Sequence, residues 1–145
     1  MAQTQTKAPT FDSISVGQEL PPFSVTPTTQ TLVMYAGAED DYFQGHYDHN
    51  FAVSMGMPTV FNHGWLTYAI LLQAVTSWIP PEAATIRKAA AKYSQPSFPG
   101  NPVICKGQVT GKRVEDGKQL VDIELYAENG QGVKTTKAAV TLELA

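Results

Sequence analysis

From Gly64 to Trp78 the chain has almost no polar side. Trp65, Leu66, Tyr68, Ala69, Ile70, Leu71, Leu72, Ala74, Val75 and Trp78 fall on every face of a helical wheel. A helix that is apolar nearly all round must be buried. At ~1.5 Å per residue it runs about 22 Å, enough to cross a small domain. Pro80 and Pro81 stop it. Downstream the period changes. Segments 103–114, 119–127 and 133–144 read as strands: Val121, Ile123 and Leu125 alternate with Asp122 and Glu124, and Val140, Leu142 and Leu144 share one side. Two hairpin signals join them, Glu115-Asp116-Gly117-Lys118 and Asn129-Gly130. Residues 85–97 form a further strand before the turn Phe98-Pro99-Gly100-Asn101-Pro102.

The first third is less regular. Residues 1–10 read as a flexible arm and 11–145 as a single domain. Gly17, Pro21 and Pro22 break 11–25 into a turn and an edge strand. Residues 28–38 read as a helix, with Thr26 as cap and Pro27 in the first turn; Leu32, Val33, Tyr35 and Ala36 form its apolar face, and Gly37 weakens its end. Residues 39–63 have no sustained period apart from a short helix near Phe51–Met55. A loop of that length inside a compact domain points to function. The sum is one antiparallel sheet and one wholly buried helix, an α+β class. A sheet with one apolar face buries such a helix only by curling around it.

Composition narrows the partners. Ten basic residues against thirteen acidic ones give a net charge of −3, which excludes nucleic acid as the main partner, since phosphate binding needs a dense Lys/Arg surface. The one cysteine, Cys105, sits among Val103, Ile104 and Val109. It rules out an internal disulfide framework and reads as a buried, inert thiol. The start lacks an apolar signal region. The most apolar stretch carries Thr67, Gln73, Thr76 and Ser77, too short and too polar to span a bilayer. The expectation is a cytoplasmic protein without membrane contact.

All three histidines, His46, His49 and His63, fall in the 39–63 loop, with Asp40, Asp41 and Asp48. Three readings compete. Asp41 and His46, five residues apart, suit proton transfer through one water. The helix beginning at Gly64 adds free N–H groups and a positive dipole end for a developing oxyanion. Alternatively, His46, Asp48, His49 and His63 supply metal-ligand types, but in no recognised spacing. The third reading is structural: Asp40, Asp48 and His49 cap helices and satisfy loop backbone, and Tyr42, Phe43 and Phe61 pack the loop or line an acyl pocket.

Several segments carry a resemblance. They are Phe-Asp-Ser-Ile-Ser-Val-Gly-Gln-Glu-Leu from Phe11, Leu32–Gly37, Asp41-x-x-x-x-His46 with Asp48, His63-Gly64-x-Leu66-Thr67, and Gln95-Pro96-Ser97-Phe98-Pro99-Gly100. In this order and spacing the sequence resembles the MaoC-like dehydratases, or R-specific enoyl-CoA hydratases, of the hot-dog fold. The nearest likeness is to small actinobacterial-type hydratase subunits acting on steroid side-chain or long-chain acyl thioesters. The family's loop usually reads Gly-Asp-x-Asn-Pro-x-His; here Phe43 and Gln44 stand where it has Asn and Pro.

The resemblance implies a curved antiparallel sheet wrapped around a long central helix. It implies addition of water to a trans-2-enoyl thioester, giving a (3R)-3-hydroxyacyl thioester, or the reverse. Asp41 would be the water-activating base, His46 the proton donor and the Gly64 N–H the oxyanion donor, with no metal or redox cofactor. Phe43, Phe61 and His63 are further candidates for substrate contact, and His63 reads also as a structural residue that helps to set the start of the helix. Lys88 and Lys92, with Arg87, are candidates for the phosphates of the carrier, coenzyme A or acyl carrier protein. The partner would be another hot-dog subunit, in a homodimer or heterodimer. Two alternatives stay open: a hot-dog acyl-thioesterase, which needs the carboxylate but not the histidine, and a partner subunit inactive alone.

Overall fold

The computed structural model describes residues 8–145, so most of the expected arm over 1–10 lies outside the described residues. Five strands form one sheet: β1 (Phe23–Val25), β2 (Ala84–Tyr93), β3 (Val103–Glu115), β4 (Lys118–Glu128) and β5 (Lys134–Leu144). Their order is β1-β3-β4-β5-β2, with every pair antiparallel. Three α-helices precede β2: α1 (Thr29–Glu39), α2 (His49–Ser54) and α3 (Gly64–Trp78).

The apolar helix α3 forms the centre of the core with the boundaries its sequence predicts, but it is not wholly buried: Trp65, Ala69, Gln73 and Ser77, four residues apart on one stripe, are exposed. Leu71 and Val75 are fully enclosed, and Leu66, Ile70 and Ala74 are buried beside them. The sheet meets them with the alternate positions of three strands: Val103, Cys105 and Val109; Val121, Ile123 and Leu125; Ala138, Val140 and Leu142. Burial pushes the Cys105 thiol up to about 12, which keeps it protonated and inert.

Local chemistry moves several boundaries. α1 starts later than expected because Thr28, not Thr26, is its cap. The Thr31 N–H donates to Thr28 Oγ1 (3.1 Å) and the Thr28 N–H to Thr31 Oγ1 (3.0 Å), a reciprocal box. Pro27 precedes the helix, and its carbonyl accepts from the Gly100 N–H at 2.7 Å. The helix runs past Gly37 and ends at Asp40, which adopts a left-handed φ of 60°. The strand expected over 85–97 ends at Tyr93, because the Ser94 and Gln95 N–H groups both turn to one acceptor, the Thr135 carbonyl. Asp116 and Gly117 carry the positive φ values that their two-residue turn demands. The Asn129–Gly130 signal works differently: Asn129 Oδ1 accepts from the N–H groups of Gln131 and Val133, making a longer loop.

Candidate active site

The left-handed residue Asp40 ends α1 and sends the chain into a tight loop. Asp41 Oδ1 accepts from the Phe43 N–H (3.2 Å), and a single 3₁₀ turn over Gln44–His46 follows. Gly45 is required there. A Cβ at that position would lie 2.7 Å from the Phe61 ring and 2.8 Å from the Phe43 ring. This close packing delivers His46 to the interior, 7% exposed.

One ring nitrogen of His46 is committed. Its Nδ1 lies 2.7 Å from the Phe61 carbonyl, which can only accept, so Nδ1 carries hydrogen. Nε2 therefore faces Asp41 Oδ2 at 3.8 Å. That separation is too wide for a direct hydrogen bond, and the two atoms are close enough to share one oxygen set to the side of the line between them. The pair is asymmetric: the Asp41 side chain is 39% exposed and that of His46 8%. The open side of the pair is the aspartate's. The Phe43 and Phe61 rings pack edge-on against the imidazole. Both pack the loop; Phe61 also lines the cavity beside Gly64, and Phe43 keeps an exposed side.

His63 lies behind this pair, 0% exposed. Its ring stacks on His46 (centroids 3.8 Å apart, planes 23° apart), and its Nε2 lies 3.3 Å from the Asp41 carbonyl. Without exposed surface it does not meet the expectation of substrate contact. Its side chain makes no cap bond to α3, so the N–H of Gly64 at the first turn stays available. Tyr93 closes over that end, its ring 3.3 Å from where a Gly64 side chain would begin. A cavity of about 340 Å³ opens there, lined among others by Gly64, Thr67, Tyr93 and Ser97. Asn62 Nδ2 donates to Ser97 Oγ (3.0 Å), Ser97 pairs with Thr67 Oγ1 (3.2 Å), and Thr67 reaches the His63 carbonyl.

The remaining candidates separate. Asp48 caps α2 by accepting from the Phe51 N–H (3.0 Å), Asp40 ends α1, and His49 is exposed beside Thr59. Asp41, His46 and His63 offer ligand atoms within 4.8 Å of one another. Nearly parallel rings, however, present their lone pairs side by side instead of aiming them at one point, an arrangement unsuited to chelation. Lys88 and Lys92 are not brought to the site. Ala89 and Ala91 point to the core, so strand alternation puts both lysines on the outer face of β2, with Lys92 opposite Lys137. Arg87 is paired with Glu143 at 2.6 Å. Sequence reasoning missed Tyr93, Ser97 and Asn62 as neighbours of Gly64, and took Tyr35 only as an apolar-face residue. Tyr35 lies edge-on to His63, and burial together with Glu39 pushes its hydroxyl up to about 12.

No helix among the described residues is long and apolar enough to cross a membrane. No curated protein matches the sequence. Solved structures do. A chain of the ChsH1–ChsH2 complex from Mycobacterium tuberculosis shares 26% identity over 90% of this chain and 98% of its own, with a TM-score of 0.79. The (R)-hydratase from A. caviae involved in PHA biosynthesis shares 18% over 92% and 98%, with a TM-score of 0.82. The MaoC-like dehydratase from Rhodospirillum rubrum shares 16% over 92% and 94%, with a TM-score of 0.81. These likenesses identify the curved sheet and its central helix as the hot-dog fold. The family profile described as "MaoC like domain" matches residues 13–131, a span holding Asp41, His46, His63 and Gly64, and so the chain belongs to the MaoC-like family.

Proposed function

We propose that this chain adds water to a trans-2-enoyl thioester to give a (3R)-3-hydroxyacyl thioester, or catalyses the reverse. The observation that carries the reading is the 3.8 Å gap between His46 Nε2 and Asp41 Oδ2, with His46 Nδ1 committed to the Phe61 carbonyl. A water beside that gap, about 2.8 Å from each atom, is held by both groups. The pair carries one transferable proton, on His46 Nε2 before reaction. As the water oxygen bonds to C3, its proton passes to Asp41. The C2=C3 electron pair moves toward the thioester carbonyl, whose oxygen the Gly64 N–H accommodates. C2 then takes the proton from His46 Nε2, and a proton returned from Asp41 to His46 resets the pair. The carrier is coenzyme A or acyl carrier protein. If Lys88 and Lys92 hold its phosphates, they do so from the outer face of the sheet.

Loss of the conjugated absorbance of a short enoyl-CoA tests this directly. Asp41→Asn and His46→Ala are each expected to lower the rate at least ~100-fold. Unchanged rates in both variants overturn the assignment. Release of free thiol in place of hydration favours the thioesterase reading.

A second reading has its own support. β2 lies at the margin of the sheet, bonded among the described residues only to β5, and the 26%-identical neighbour is part of a complex of two named subunits. The chain then works beside another hot-dog subunit, its own copy or a different one. Activity of the isolated chain separates the two cases.

A further inference from the structure

We propose that His63 is the positioning residue of the Asp41–His46 pair: one buried imidazole fixes the ring of one partner and the main chain of the other. The inference rests on the hydratase reading for its meaning, but its geometry stands apart from that reading. Among the described residues, His63 alone stacks on the His46 ring while also bonding to Asp41. Since the Asp41 carbonyl can only accept, His63 Nε2 carries the hydrogen. This bond holds the backbone at the point where α1 has just ended in a left-handed turn. The Tyr35 ring, edge-on at 5.1 Å, fixes the other side of the imidazole.

The polar atoms of His63 show that it is not there for packing alone. Its Nδ1 is buried and has no hydrogen-bond partner. An unpaired buried polar atom costs free energy that an apolar side chain of similar size would avoid. What the imidazole offers over such a side chain is the Nε2 donation and the flat π face. The charge balance agrees with this role. Burial first, and the neighbouring His46 second, hold His63 below the ordinary imidazole range; Asp41 and Glu39 pull the other way. A neutral His63 leaves its stacked neighbour free to carry the proton.

Two variants divide the functions. His63→Phe keeps a ring against His46 and loses the donor. His63→Gln keeps an amide donor for the Asp41 carbonyl and loses the ring. Side-chain ¹⁵N spectra of the histidines supply a readout that needs no turnover. In the wild type, His63 is expected to show a protonated Nε2 and to take up its second proton only below the ordinary imidazole range. In folded variants the His46 Nδ1–H signal is expected to lose the shift that its bond to the Phe61 carbonyl gives it. In the enoyl-CoA assay each folded variant is expected to lose ~10- to 100-fold in kcat with KM within twofold, as misplacement of reacting groups does. The less disruptive His63→Gln serves if His63→Phe fails to fold. A His46 Nδ1–H signal unchanged in a folded variant, or kcat at the wild-type level, overturns the proposal. A wild type that hydrates no enoyl thioester but shows the expected spectra overturns the hydratase reading and leaves the positioning role standing.

Discussion

His63 also couples stability to pH. Its pKa in the folded chain lies below the ordinary 6.5 because burial disfavours the charged ring. The unfolded chain therefore takes up the proton first as the solution is acidified. The stability tied to the neutral ring is fully present above about pH 6.5 and is lost as the pH falls below it. Urea denaturation of the wild type at pH 7 and pH 5 is expected to show this loss, and His63→Gln to show a smaller difference. An equal difference in both proteins defeats the expectation. At this scale the sequence was legible where residues are neighbours in the chain. Asp41, His46, His63 and Gly64 were all read as members of one site, because a single loop carries them to the start of α3. Side chains arriving from far along the chain were not. Tyr93 and Ser97 come from the end of β2 and beyond, and no local pattern ties either to Gly64.

The dominant element is α3. Leu71 is enclosed on all sides, so Leu71→Ala is expected to destabilise the fold by ~2–5 kcal/mol, the cost of lost burial plus an unfilled cavity. Equilibrium unfolding in denaturant measures this, and a loss under ~1 kcal/mol contradicts the packing described. α3 was readable because its signal is unopposed: apolar residues all round, then two prolines. α1 was less so. Thr26, Thr28 and Thr31 are all plausible caps by type, and only the reciprocal Thr28–Thr31 bonds decide among them. The face of β2 was hidden for a different reason. A bulge between Ile86 and Lys88 resets the alternation, and the run Ala89-Ala90-Ala91 has no polarity to mark which side is in. The lysines of β2 were therefore expected beside the site, and they lie across the sheet from it.

At the scale of the whole molecule, the free side of β2 is a row of backbone groups awaiting partners. Pairing there with another hot-dog subunit would lie next to Tyr93 and the Gly64 cavity. Native mass spectrometry is expected to find the active species at two subunits or more; a fully active monomer contradicts the pairing. The opposite margin is built otherwise. β1 is three residues long, Pro21 and Pro22 precede it and Pro27 follows closely. Proline offers no N–H to a neighbouring strand. The sheet is thus directional, with one margin able to recruit and the other sealed. Joining two recruiting margins consumes both and exposes only sealed ones. Growth would then stop at the pair, and a protein rich in exposed strand would be kept from becoming a fibre.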